Sequence, residues 1–257
     1  MVCLAANLTM MFNEVPFLDR FATAAAAGFQ AVEFLFPYDY PATLIAAHLD
    51  QHNLQQALFN MPPGDWGSGE RGLAALPDRC DEFRRTVATA VEYARVIGTP
   101  LLHMMAGLAP SQDRAAQVSY RDSLAFAADA AGAAGIGIVI EPINSRDIPG
   151  YFLDDFERAI EIIDGLSRPN VRLQFDVYHR QVMRGDVLIA LTEMMTLIGH
   201  VQIASVPWRN EPGTGELNDF LILGELDRLG YDGFVGCEYR PATDTIAGLG
   251  WIRNVSA

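Results

Sequence analysis

Eight polar residues interrupt apolar runs at the points where short strands would end: Asn7, Glu33, Asn60, His103, Glu141, Asp176, Gln202 and Glu238. Four of them have types that combine into one chemistry. Glu141 follows Gly137-Ile138-Val139-Ile140, and Asp176 ends Val171-Arg172-Leu173-Gln174-Phe175. Gln202 lies inside Val201-Gln202-Ile203-Ala204, and Glu238 follows Phe234-Val235-Gly236-Cys237. Three carboxylates and an amide oxygen form an all-oxygen donor set, which suits a hard divalent cation, Mg²⁺ or Mn²⁺, better than zinc. Any one of them alone reads as a salt-bridged or helix-capping group. Four on successive strands read as a site, because crowded carboxylates repel one another unless a cation neutralises them.

Other polar side chains fall beside these four. His179 follows Asp176 by three residues, which places it just past a strand end, able to bond a substrate oxygen. His103, on the fourth strand, has the same opportunity. His48 and His52 fall on a helix and read as surface residues, while His200 begins a strand and reads as a core hydrogen-bonding group. Arg209, in Trp208-Arg209-Asn210-Glu211, is the candidate for an anionic substrate, since guanidinium matches carboxylate geometry; a solvated loop arginine is the alternative. The stretch from Met61 to Asp78 is the longest non-helical connection. As a loop following a strand it reads as a lid or pocket wall in which Trp66 and Arg71 cover a substrate.

The elements that must position these residues alternate in type. Strands are expected at Cys3–Asn7, Ala31–Phe36, Gln56–Asn60, Pro100–Met105, Gly137–Ile143, Arg172–Asp176, His200–Ala204 and Gly233–Glu238. Each is nearly continuously apolar, as in parallel strands buried on both faces. Helices are expected at Pro16–Ala27, Ala42–His52, Arg79–Ile97, Asp113–Ala134, Asp154–Leu166, Asp186–Ile198 and Leu217–Leu229. Eight strands in strict alternation with helices indicate a single-domain (β/α)8 TIM barrel over residues 1–257, whose chemistry belongs at the C-terminal ends of the strands. An open dinucleotide-binding sheet is disfavoured. Gly135-Ile136-Gly137 precedes a strand instead of following one, and Gly213-Thr214-Gly215 is an incomplete phosphate loop.

Composition removes several rival chemistries. All 18 cationic residues are arginine, so a Schiff-base, pyridoxal-anchoring or P-loop lysine is excluded. A net charge of −14 lacks the basic footprint of a nucleic-acid partner, and most of it reads as surface charge. No apolar run approaches the roughly 20 residues of a membrane span, and the N-terminus lacks a basic signal region. Three scattered cysteines argue against a disulfide framework, so a reduced, cytoplasmic protein is expected.

Several ordered segments carry a resemblance. Phe34-Leu35-Phe36-Pro37-Tyr38-Asp39-Tyr40, Pro63-Gly64-Asp65-Trp66, Gly69-Glu70-Arg71-Gly72 and Ile140-Glu141-Pro142-Ile143-Asn144 resemble the hydroxypyruvate isomerase family. So do Asp176-Val177-Tyr178-His179, Gly199-His200-Val201-Gln202-Ile203-Ala204, Glu211-Pro212-Gly213-Thr214-Gly215-Glu216 and Gly236-Cys237-Glu238-Tyr239. Asn60-Met61-Pro62-Pro63-Gly64-Asp65-Trp66 and Gln202-Ile203-Ala204-Ser205-Val206-Pro207 look closer to its 2-oxo-tetronate isomerase branch, and Ser205 stands where many hydroxypyruvate isomerases carry Asp.

The resemblance implies a xylose isomerase-like barrel that binds a divalent metal through Glu141, Asp176, Gln202 and Glu238, with the two glutamates as acid/base groups. The implied reaction is aldose–ketose isomerisation of a short hydroxy-oxo acid, hydroxypyruvate to 2-hydroxy-3-oxopropanoate or the 2-oxo-tetronate equivalent. It also implies a tendency to form homo-oligomers. A ketose 3-epimerase would place His where Gln202 stands. An endonuclease on the same scaffold would need a His-rich zinc cluster and a basic groove. A non-catalytic sugar-acid binding protein would have no use for two acid/base glutamates.

Overall fold

The computed structural model of the protein describes residues 2–255. Eight parallel strands close into a barrel in chain order, β1-β2-β3-β4-β5-β6-β7-β8. They are β1 (Cys3–Asn7), β2 (Ala31–Phe34), β3 (Gln55–Asn60), β4 (Leu101–His103), β5 (Gly137–Ile140), β6 (Val171–Asp176), β7 (Ile198–Gln202) and β8 (Phe234–Cys237). Between and after them run α1 (Arg20–Ala26), α2 (Ala42–His52), α3 (Cys80–Ile97), α4 (Arg114–Gly132), α5 (Phe156–Leu166), α6 (Val177–Met183), α7 (Val187–Met194), α8 (Asp219–Arg228) and α9 (Thr245–Gly248).

Local sequence explains the helix ends. Asp113 and Asp155 cap α4 and α5 by accepting from the Ala115 and Arg158 amides. Gly98, in the left-handed region at φ 80°, stops α3. Along α5 the buried residues Phe156, Ala159, Ile162 and Ile163 recur at helical spacing and form its inner stripe.

Chain contacts divide the molecule into two compact units. One holds β1, β2, Leu44–Ala57 and the chain from Phe175 onward. In it β1 pairs with β2 through Asn7 and Glu33 and with β8 through Ala5 and Gly236, and Gln202 of β7 faces Gly236 of β8. The other holds Leu35–Thr43 and Leu58–Gln174. There Asn60 of β3 faces His103 of β4, and Ile140 of β5 faces Leu173 of β6. The unit boundaries fall directly after β2 and inside α2, β3 and β6.

Three expectations need correction. The apolar runs ending at Phe36, Met105, Ile143, Ala204 and Glu238 overshoot the ladders, because residues such as Met104, Ile143 and Ala204 stay buried after the chain has left the sheet. Hydrophobicity reports burial, not pairing. The helix expected at Asp186–Ile198 is shorter, ending at Met194, and an additional helix, α6, begins directly after Asp176. His48 is half-buried rather than on the surface, with its ring 5.5 Å from Phe21.

Gly236 serves the site above it. A Cβ there would collide with the Glu33 carboxylate that lies across β8. Gly236→Ala is expected to cost about 1–3 kcal/mol through overpacking. Urea unfolding measures this, and wild-type stability in the variant would show that Glu33 has room to move.

Candidate active site

Asp176 is both the last residue of β6 and the N-cap of α6. Its Oδ1 accepts from the backbone amides of Tyr178 (2.7 Å) and His179 (3.4 Å), which fixes the carboxylate at 1% exposure. Asp-Val-Tyr-His is therefore a strand end and a helix start at once. His179 consequently sits in the first turn of α6, not in a loop, and its Nε2 lies 3.6 Å from Asp176 Oδ2.

Arg209 joins this pair to Glu238. Its Nη2 donates to Asp176 Oδ2 (3.1 Å) and to Glu238 Oε2 (2.7 Å), and lies 3.4 Å from His179 Nε2. The guanidinium packs 4.8 Å from the centre of the Tyr178 ring. Arg209 adopts φ 56°, its amide donates to the Ser205 carbonyl, and its own carbonyl accepts from Arg240. The side chain is only 12% exposed, so the solvated-loop alternative does not hold. Ser205 is buried and bonds Thr214 of the same loop at 2.9 Å, which ties it to loop architecture.

Burial dominates the electrostatics here. It pushes the Glu238 carboxyl up to about 8; Arg209 opposes this, and the neighbouring charges of Asp176 and Glu33 add to it. Asp176 is also raised, by burial first, with Arg209 and the two backbone amides pulling it back.

Gln202, at the end of β7, is 2% exposed, and its Nε2 donates to Glu33 Oε1 at 2.8 Å. Glu33 also accepts from Asn7 Nδ2 (2.9 Å) and lies 2.7 Å from His200 Nε2. His200 is thus the core hydrogen-bonding group that was expected. Glu33 was visible as a glutamate within Ala31-Val32-Glu33-Phe34, and the sequence reasoning passed over it. The signal that would have singled it out is Gly236, two residues before Glu238, the one position of β8 without a side chain to block it.

In the other unit, Glu141 lies one residue past β5 at 4% exposure, and His103 ends β4 at 1%. His103 Nε2 and Glu141 Oε2 are 3.7 Å apart. The long loop after β3 carries Trp66, 39% exposed, with its ring 5.0 Å from Phe36. The Arg71 guanidinium stacks 3.8 Å from the Trp66 ring and donates to the carbonyls of Trp66 and Glu70. Glu70 in turn accepts from the Asp65 amide and pairs with Arg79, so the loop is braced from within.

Among the described residues, no helix is long and apolar enough to cross a membrane. The profile of a family described as xylose isomerase-like TIM barrel matches residues 21–255. A 2-oxo-tetronate isomerase of Cupriavidus necator is 55% identical over 97% of this chain and 96% of its own. The hydroxypyruvate isomerase of Escherichia coli is 42% identical over 98% of both. A crystal structure from Brucella melitensis, described as an AP endonuclease of family 2, superposes with a TM-score of 0.96 at 48% identity, covering 98% of each chain.

Proposed function

Because this chain belongs to the xylose isomerase-like TIM barrel family, we propose that it is an isomerase interconverting the aldose and ketose forms of a short hydroxy-oxo acid. The observation that carries this reading is the buried group of Asp176, His179, Arg209 and Glu238, where an arginine stands directly against two candidate acid/base and ligand carboxylates. Hydroxypyruvate and 2-oxo-tetronate are the two candidate acids, and the 55% identity to the 2-oxo-tetronate isomerase, against 42% for the hydroxypyruvate isomerase, is our reason for favouring the second. The net charge of −14 disfavours a nuclease reading. We also read the whole chain as one domain, since β3 and β6 run unbroken from one compact unit to the other.

The residues fit a divalent cation. We propose that Glu141, Asp176, Gln202 and Glu238 hold Mg²⁺ or Mn²⁺. The support is chemical: an all-oxygen set, and carboxyls at Asp176 and Glu238 that burial pushes upward and that a cation would return to their charged form. Bound there, the ion would stabilise negative charge developing on the substrate oxygens.

The chain's own groups then do the proton work. One of Glu141 and Glu238 takes the proton from the hydroxyl-bearing carbon, leaving an enediolate; the hydroxyl proton passes to the former carbonyl oxygen, and a proton is returned to the adjacent carbon. His179, held by its place in the first turn of α6, donates to a substrate oxygen. The Arg209 guanidinium matches carboxylate geometry, and it reads the substrate carboxylate. His103, at the end of β4, bonds a substrate oxygen in the same way as His179. Trp66, stiffened by Arg71, covers the substrate and keeps water out.

Glu141→Gln and Glu238→Gln should fold normally and lose roughly 10²–10⁴-fold in turnover. Aldehyde formation from each acid with Mg²⁺ present measures this, and full activity in either variant would remove that residue from the mechanism. Arg209→Ala should raise KM for both acids at least about tenfold while leaving KM for a neutral ketohexose nearly unchanged. Equal effects on acid and neutral substrates would show that Arg209 does not read the carboxylate.

A further inference from the structure

We infer that Glu33 is a positioning residue whose buried carboxylate holds the Gln202 amide in one of its two orientations, nitrogen toward β2 and oxygen toward the barrel mouth. The inference rests on the reading of Gln202 as a cation ligand, and it gives that reading a supporting partner.

Glu33 is 1% exposed and takes three neighbours: Asn7 Nδ2 and Gln202 Nε2 on Oε1, and His200 Nε2 on Oε2. Glu33 Oε1 accepts an N–H from each of two amides, Asn7 and Gln202, so both present their nitrogen to it. Turning the Gln202 amide over would set its oxygen against Oε1, exchanging a 2.8 Å hydrogen bond for a repulsion between two acceptors. Asn7 cannot turn over to compensate. Its Oδ1 already accepts from the amides of Thr9 and Met10, which fixes its nitrogen toward Glu33. The missing side chain at Gly236 keeps the position of the Glu33 carboxylate open.

This arrangement accounts for an amide, and not a further carboxylate, at the end of β7. Glu33 requires a donor from below and a cation requires an acceptor from above, and a glutamine supplies both. A glutamate at 202 would place like charge against Glu33 at hydrogen-bonding distance. Groups that orient metal ligands from outside commonly govern metal affinity by about 10–100-fold.

A double-mutant cycle on Mn²⁺ affinity tests the inference, with the full chain titrated by calorimetry and the bound ion followed by its paramagnetic resonance spectrum. Glu33→Ala and Gln202→Ala should each weaken Mn²⁺ binding about tenfold or more. Glu33→Ala should add no more than about twofold once Gln202 is already alanine. A loss from Glu33→Ala that is the same in both backgrounds would overturn the inference in favour of a general scaffold role. Unchanged affinity in Glu33→Ala, with Gln202→Ala still weakened, would overturn it as well. Unchanged affinity in Gln202→Ala would instead overturn the ligand reading beneath it. Should Glu33→Ala fail to fold, Glu33→Asp keeps the charge and withdraws the carboxylate by one methylene. A loss confined to the Gln202 background supports the inference, and an equal loss or none overturns it.

Discussion

Keeping ionisable carboxyl groups out of water at the ends of parallel strands is the constraint around which this protein is arranged. Glu33, Asp176 and Glu238 are 1%, 1% and 8% exposed, and Glu141 is 4% exposed. An uncompensated buried carboxylate costs several kcal/mol, which no single packing interaction offsets. Each of the three in the β1–β2–β7–β8 unit has therefore acquired its own donors. Asp176 takes two backbone amides at the start of α6, Glu33 takes two side-chain amides and faces an imidazole, and Asp176 and Glu238 share Arg209. Compensation is incomplete for Glu238, whose carboxyl is left high at about 8, and such a group gains most from a cation.

The same economy governs the loops. The loop after β7 places Arg209 in a left-handed backbone conformation and bonds it to Ser205 and Arg240, so the guanidinium is delivered to the carboxylates by a braced backbone. The loop after β3 uses an arginine differently. Arg71 turns inward onto Trp66 and two backbone carbonyls, which stiffens the aromatic ring. One arginine thus meets charge and the other builds a wall, a difference that residue type alone does not encode.

Much of the architecture was legible because a closed parallel barrel writes itself as eight apolar runs separated by helical periodicity. The candidate carboxylates were legible for the related reason that an Asp or Glu closing an apolar run is expensive without a purpose. What escaped was whatever depends on three-dimensional register. His179 was placed only just past a strand end because Asp176 was taken as a strand end alone, and its second role as a helix cap hid α6. Glu33 stood in the same set of strand-end residues as Glu141 and was passed over. Its importance depends on Gly236, Gln202, Asn7 and His200, which lie close only once β2, β1, β8 and β7 are laid side by side. Arg209 was singled out as a candidate for an anionic substrate, while its contacts to Asp176 and Glu238 depend on how one loop folds back.

A cation bound at Asp176 and Glu238, as proposed, competes with their protons. A group whose pKa is raised by folding stabilises the protein below its unfolded value and loses that contribution as pH rises through the folded one, here from about 4.5 to about 8 for Glu238. The most direct measurement is the shift in melting temperature on adding saturating Mn²⁺, followed from about pH 5.5 to about pH 8.5. The account predicts a small shift at the acid end, where the ion must displace protons, growing steadily toward the alkaline end as the buried charges appear. No shift, or one of the same size at every pH, would contradict it.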